Sequence, residues 1–532
     1  MSIYLLKPLT ATLLLASFIA TPALAATDAT GTNPHASSNQ KSLEASVANL
    51  EKEVALLKGE LKKDNNAKSK KSYVHKNIKS IGPKTNMDPP SDPADPTNKL
   101  TGKDIVKLIS EEQTYLPFDL DVPGQAFVST GPYIGVPIQF AGTDLIINSP
   151  SVNTDVQLLG IRKNIIKQLQ AMGNELQLPY HSHLLLSGII EAQANYFNHG
   201  GGPSTTDIDV TNVSLDATIF GPSDWLLGFI EFTYDNSSPK NNGIFESTSN
   251  FRTLNSRVLV NKAFITIGNF AQSPFYGTVG QYYVPFGTYS TVMISDPLTK
   301  SLARTKARAI QLGFQQQESN AFYGAAYIFR GDSHANSVAK VSTGGLNLGY
   351  KFDGGTVKGN FGGGVIANLA DSVGMQLGNT EFQNNEQITH RVPAYNARGT
   401  LSLCSHLDLI GEFITASTRF NPNDMSFNGH GAKPSAFDLE AAYSFPILDN
   451  KPSSIGIGYA KTNQALAVGL PLTRTSLVFN TSLLRNTLQS LELRHDRQYA
   501  ASDRATGAGN VNAPRETGKA DNAITAQFDY YF

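Results

Sequence analysis

The chain has 532 residues, with 43 lysines and arginines against 44 aspartates and glutamates and a formal charge of −1. So even a balance carries no basic footprint for nucleic acid, and a single cysteine, Cys404, excludes an internal disulfide framework. An apolar content of 40% with 45 glycines suits a large secreted protein, or equally a barrel whose two faces cancel in hydropathy.

Lys7, an apolar run from Leu9 to Ala20 and Thr21-Pro-Ala-Leu-Ala25 form a basic n-region, an h-region and an A-x-A site. Residues 1–25 therefore read as a signal peptide cleaved after Ala25. No later apolar run approaches the ~20 residues a spanning helix needs, so a membrane crossing would have to be made of strands. Within 40–63, Leu43, Val47, Leu50, Val54, Leu57 and Leu61 follow heptad a/d spacing. A lone helix of this length is marginal in water, so the seam calls for partner helices. A three-stranded periplasmic coiled coil is the favoured reading; packing against the chain's own N-terminal region or barrel is the competing one. Residues 64–99, rich in lysine and proline, read as a flexible basic linker. Residues 100–182 form a periplasmic or lumen-inserted segment, with helical spacing at Val156, Leu159, Ile166 and Leu169.

From Leu184 onward the pattern repeats, and the pattern predicts strands near 184–197, 210–220, 225–235, 257–269, 276–284, 306–316, 320–330, 343–351, 356–368, 393–404, 406–418, 435–445, 453–463, 472–483, 487–498 and 521–532. Short connections (221–224, 317–319, 352–355, 404–405, 484–486) alternate with long ones (236–256, 285–305, 369–392, 419–434, 499–520). Short periplasmic turns alternating with long external loops is the rule of outer-membrane barrels, and a soluble sandwich has no reason to keep it. The last strand agrees: Ile524, Ala526, Phe528, Tyr530 and Phe532 alternate with polar residues. The expected fold is all-β and transmembrane: an antiparallel outer-membrane β-barrel of about sixteen strands over 183–532, preceded by an α-helical coiled-coil segment.

Charged residues on these strands belong to the lumen, since an arginine or lysine facing lipid at mid-bilayer costs about 2–4 kcal/mol. Arg398 and Arg494 are inward candidates, opposed by the acids Glu191, Glu231, Glu412, Glu440 and Glu492, of which Glu412 and Glu492 join the two arginines as candidate ligand or lumen residues. The strand 257–269 fits less well, because Asn261 and Lys262 fall on opposite faces. The long connection after Tyr283 carries Phe286, Tyr289, Val292, Met293, Ile294 and Leu298, too apolar for an exposed tip, and is expected to fold inward. Asp296, Arg304, Lys306 and Arg308 would then border a constriction suited to an anionic solute. In the competing reading the three cations sit at the outer rim and meet lipopolysaccharide phosphates. No catalytic or metal site is expected. His181 and His183 make a weak pair, and alternation puts His495 and Asp496 on opposite faces, against a serine-hydrolase relay with Ser502.

Ser129-Thr-Gly-Pro-Tyr-Ile-Gly-Val-Pro137, Leu145-Ile-Ile-Asn-Ser-Pro-Ser-Val-Asn153, Pro274-Phe-Tyr-Gly-Thr-Val-Gly-Gln-Tyr-Tyr-Val-Pro-Phe-Gly287, Ile294-Ser-Asp-Pro-Leu-Thr299 and Arg494-His-Asp-Arg-Gln-Tyr499 together resemble the LbtU-type family of outer-membrane iron and siderophore receptors. The resemblance covers nearly the whole mature chain. It implies uptake of a ferric siderophore or of iron through a barrel of about sixteen strands, without a large plug and with no bound cofactor. A general or anion-selective trimeric porin is the alternative, and a structural or adhesin barrel the second alternative. Expected partners are outer-membrane lipid, lipopolysaccharide and further copies of the chain.

Overall fold

The structure, a computed structural model, describes residues 118–122, 126–130, 138–141, 145–148, 152–171, 182–200, 202–220, 223–235, 257–335, 340–377, 382, 387–403, 406–448, 451–484, 486–507 and 517–532. The expected signal peptide, coiled coil and linker lie outside the described residues.

Four short strands come first: β1 (Phe118–Val122), β2 (Ala126–Thr130), β3 (Ile138–Ala141) and β4 (Leu145–Asn148), followed by helix α1 (Thr154–Ala171). The barrel follows as β5 (Ser182–Asn198), β6 (Thr205–Phe220), β7 (Leu226–Asp235), β8 (Arg257–Gly268) and β9 (Phe275–Tyr283). After helix α2 (Leu298–Ala303) it continues as β10 (Lys306–Gln315), β11 (Ala321–Arg330), β12 (Val341–Asp353) and β13 (Val357–Ile366). Helix α3 (Val373–Leu377) precedes β14 (Ala394–Leu403) and β15 (Leu407–Ala416). Two-residue strands β16 (Ser426–Phe427) and β17 (His430–Gly431) then separate β15 from β18 (Ser435–Ile447), β19 (Lys451–Asn463), β20 (Thr473–Thr481) and β21 (Thr487–Arg497). The last two are β22 (Ala505–Thr506) and β23 (Ala520–Tyr531).

Leaving out β1–β4, β16, β17 and β22, sixteen strands pair antiparallel in chain order, and β23 returns to β5 from Asn522↔Asn198 to Tyr531↔Ile189. The ring is closed, so no sheet edge meets lipid. Below that seam, β2 runs parallel to β5 from Ala126↔Ser182 to Thr130↔Leu186, covering backbone that β23 leaves unpaired.

Alternation gives the wall two chemistries. On β10, Ala309 and Gln311 are buried inward while Ile310 and Leu312 are 52% and 68% exposed outward. Ile265, Val279, Ile328, Leu348, Leu439, Ile457 and Ile524 continue this apolar outer belt around the barrel. Aromatic pairs cluster toward the short-turn rim, among them Phe322–Tyr350 at 4.6 Å and Phe352–Phe361 at 5.8 Å, in the manner of an interfacial girdle.

The awkward strand at 257–269 is explained by a bulge. Glu231 faces Lys262 and Phe232 faces Val260, leaving Asn261 as the extra residue. Above the bulge the outward set is Val258 and Val260; below it, Ile265 and Ile267, with Lys262 turned inward.

Two elements fill the interior. The first half of α1 enters at the short-turn end. Leu158 and Leu159 are buried, and Asp155 accepts from Thr278 at 2.7 Å and Gln311 at 3.2 Å. Arg162 fixes the helix to the rim through the carbonyls of Ser223 and Leu226. The second element is the connection 284–305. At the long-loop end, β16 pairs with both β17 and β22, and Phe382, Phe420, Met425 and Tyr499 bury one another in a packed cap.

Candidate functional site

The connection 284–305 folds inward because its apolar residues find cover there: Val284, Phe286, Tyr289, Val292 and Met293 are all nearly inaccessible. Buried backbone N–H groups need acceptors, and the inner wall supplies carboxylates. Gly287 and Tyr289 take positive φ (91° and 53°), which turns consecutive N–H groups toward one point. Glu412 receives both, from Thr288 at 3.0 Å and Tyr289 at 2.7 Å. One strand further, Glu440 accepts Val292 N at 2.8 Å and Thr291 Oγ1 at 2.6 Å. Glu492 on β21 accepts Ser295 N and Oγ at 2.7 and 2.6 Å, and Asp438 takes the N–H groups of Leu298 and Thr299 that open α2. Asn480 and Arg474 donate to the carbonyls of Val292 and Asp296. The connection is a strap, tied to β15–β21 by charge-assisted hydrogen bonds.

Opposite those ties an open cavity of about 450 Å³ remains between the strap and strands β5–β8, β21 and β23. Glu191, Glu231 and Asp529 line it from the wall, and Asp296, Lys300 and Arg304 from the strap. Asp296 pairs with Lys300 at 2.5 Å. Enclosure within the barrel pushes its half-exposed carboxyl up, but Lys300, Arg304 and Arg474 together hold it below the usual carboxylate range. Arg304 stacks on Tyr283 at 4.3 Å. Glu231 is already matched by buried Lys262 at 2.6 Å, so Glu191 and Asp529 give this half of the lumen an acidic character.

A second cavity of about 200 Å³ lies on the other side of the strap, where Thr288 and Ser290 line it together with Arg398, Lys351 and the first turns of α1.

The sequence-derived candidates thus separate. Asp296 and Arg304 line the first cavity and Arg398 the second. Glu412 and Glu492 are on the inner wall, but as strap anchors whose oxygens are taken by backbone N–H groups, which corrects their assignment as ligand residues. Arg494 is spent on Asp496 at 3.3 Å and the ring of Phe197. Arg308 is a further correction: it lines neither cavity. It shares β10 parity with outward Ile310 and Leu312, is exposed and bonds Gln281, whereas Lys306 borders the first cavity, donating to Asn261 and lying over the ring of Tyr283, both on its lining. Asp438, Arg474, Asn480 and Lys300 were missed. Asp438 and Glu440 both sit opposite Leu439 in parity, a signal for an inward acid pair, but nothing in the sequence names their partners. His495 is exposed and bonds Asn522 while Asp496 turns inward to Arg474, so the two form no relay.

A closed sixteen-strand barrel, apolar outside and polar inside, with a long loop narrowing its lumen, is an outer-membrane barrel of porin-like build. No protein-family profile matches the chain. It is 39% identical over 409 residues to the UPF0422 protein of Coxiella burnetii, covering 76% of this chain and 84% of that one. It is 36% identical over 421 residues to a UPF0422 protein of Legionella pneumophila, covering 76% of each. The chain belongs to the UPF0422 family. Among solved structures, the anion-selective porin of Comamonas acidovorans aligns at TM-score 0.43 and 11% identity, over 66% of this chain and 100% of that one. The outer-membrane channel DcaP of Acinetobacter baumannii aligns at TM-score 0.41 and 12% identity, over 66% and 97%.

Proposed function

We propose that the chain is a general diffusion porin of the bacterial outer membrane, passing small polar solutes through a strap-narrowed lumen. The observation that carries this reading is the strap itself: four wall carboxylates hold 284–305 across the interior, leaving polar cavities of about 450 and 200 Å³ beside it. A loop so placed narrows the lumen and sets a size limit suited to small solutes. Purified protein in planar bilayers is expected to give stepwise, ohmic, non-saturating currents in simple salts. A protein that inserts and stays silent would overturn the reading.

The narrower role, uptake of a ferric siderophore or iron, rests on the motif resemblance alone. Growth of a deletion strain on iron-limited medium separates the two: loss of siderophore rescue favours the receptor, unimpaired growth the porin. Assembly as a homotrimer, aided by the heptad segment, and contact with lipopolysaccharide belong to the same proposal. Chemical crosslinking of the membrane-embedded protein tests the oligomer.

A further inference from the structure

We propose that the second cavity, enclosed by β9–β15, the first turns of α1 and the strap, is a binding site for a small carboxylate- or phosphate-bearing anion. The inference deepens the channel reading, on which it rests for the solute's route but not for its binding.

Two cations reach this cavity, and among the described residues neither is ion-paired. Arg398, only 7% exposed, is oriented by neutral acceptors: Nη1 donates to Asn396 Oδ1 at 2.9 Å, and Nη2 to Asn347 Oδ1 at 2.5 Å and Tyr323 Oη at 3.3 Å. Its Nε is buried with no acceptor. Lys351, four residues along β12 from Asn347 and so on the same face, lies over the Tyr323 ring at 5.7 Å. Tyr323 in turn donates to Asn360 at 2.7 Å. Among the described residues neither cation has a carboxylate within ion-pair distance. The one acid lining the cavity, Asp408, accepts the Ser402 hydroxyl. Glu412, the acid facing Arg398 across the β14–β15 register, is occupied by Thr288, Tyr289 and Asn396. Asp155 of α1 is occupied by Thr278 and Gln311.

The buried guanidinium is held directly by amides and a phenol and reaches the nearest acid, Glu412, only through Asn396, so no carboxylate touches it and an entering anion can. The fork geometry of arginine matches carboxylate and phosphate oxygens, and Lys351 adds a mobile point charge. The hydroxyls of Thr288, Ser290 and Thr400 supply further donors on the lining. The floor is kept open by glycine: a Cβ at Gly362 would stand 2.8 Å from Arg398 Nη2. With Glu191 and Asp529 on the far side, the strap divides the lumen into an acidic half and a basic half.

The test uses the purified full-length protein in detergent, titrated calorimetrically with citrate, inorganic phosphate and, as a neutral control, glucose. At least one anion is expected to bind and glucose not to; whichever anion binds names the head group. Lys351→Gln, at a solvent-accessible position, is expected to weaken binding roughly fivefold and Arg398→Gln roughly tenfold or more. In bilayers, the bound anion is expected to block chloride current in the wild type and to need roughly fivefold more anion for the same block in Lys351→Gln. Wild-type affinity in Lys351→Gln, or no binding of either anion to protein that conducts chloride, overturns the proposal. Protein that conducts nothing yet binds an anion in a Lys351-dependent way sinks the channel reading and sustains the site.

Discussion

Glu412 on β15 accepts the backbone N–H of Tyr289 at 2.7 Å, linking the barrel wall to a loop residue 123 positions away in sequence. The same carboxylate also takes Thr288 N, and Glu440, Glu492 and Asp438 repeat the device along 291–299. Acids that a charge count would assign to solute selection are therefore structural.

Glu440→Ala removes the acceptor of Val292 N and Thr291 Oγ1, each hydrogen bond worth about 0.5–1.5 kcal/mol net. The expected result is a channel that conducts more and flickers, with the segment near Met293 opened to protease. Combining it with Glu492→Ala should enlarge both effects. Wild-type current and noise in the double variant would mean that apolar packing alone holds the strap.

Much of the barrel is legible in residue patterning. Predicted strands at 487–498 and 521–532 sit within a residue or two of β21 and β23, because alternation against lipid leaves few registers open. Inward folding of 284–305 was legible for the same reason: Phe286, Tyr289 and Met293 have no stable place outside. The placement of Arg308 failed although the signal was present, since Ile310 and Leu312 share its parity. What patterning cannot carry is the identity of long-range partners. That Glu492 meets Ser295 depends on how far the strap reaches around the wall, which the closed ring and not local sequence determines. The Asn261 bulge was likewise visible only as a conflict between neighbouring faces.

The buried pair of Lys262 and Glu231, 2.6 Å apart and almost wholly enclosed, joins β8 to β7 beside Thr154 of α1. Lys262→Ala leaves a carboxylate without its counter-charge and is expected to destabilise the barrel by about 3–5 kcal/mol. Lys262→Met with Glu231→Gln should recover most of that loss, read as the urea midpoint for unfolding in lipid vesicles. A double variant as unstable as the single one would show that the pair acts through packing around Phe229 and not through charge.

The outer belt gives a contrast on one strand. Leu312→Arg puts a charge into lipid and should cost about 2–4 kcal/mol if it lies near the midplane. Arg308→Leu, outward at the same parity but toward the long-loop rim, is expected to leave the unfolding midpoint within about 0.5 kcal/mol of wild type. Equal costs for the two would contradict the placement of Arg308 on the exterior.

In the external loops, Asp371 is nearly inaccessible and ties its own turn, through Asn368, to Ser333 of the neighbouring loop. Its Oδ1 accepts Ser333 N at 2.9 Å and its Oδ2 accepts Asn368 Nδ2 at 3.0 Å. Burial is the main cause that pushes its carboxyl up to about 7, helped by Asp332, against the hydrogen bonds and Arg391. Since the folded value exceeds the ordinary 3.8, the fold favours the protonated acid. Its contribution is complete below about pH 4 and is lost as pH rises through about 7, a swing on the order of a few kcal/mol. Hydrogen exchange at the Ser333 amide, corrected for its intrinsic rate, should therefore lose protection by about tenfold or more between about pH 5 and pH 8. Asp371→Asn should flatten that dependence, because an amide does not titrate. Protection that rises with pH would mean that Asp371 is held ionised, with Ser333 and Asn368 outweighing its burial.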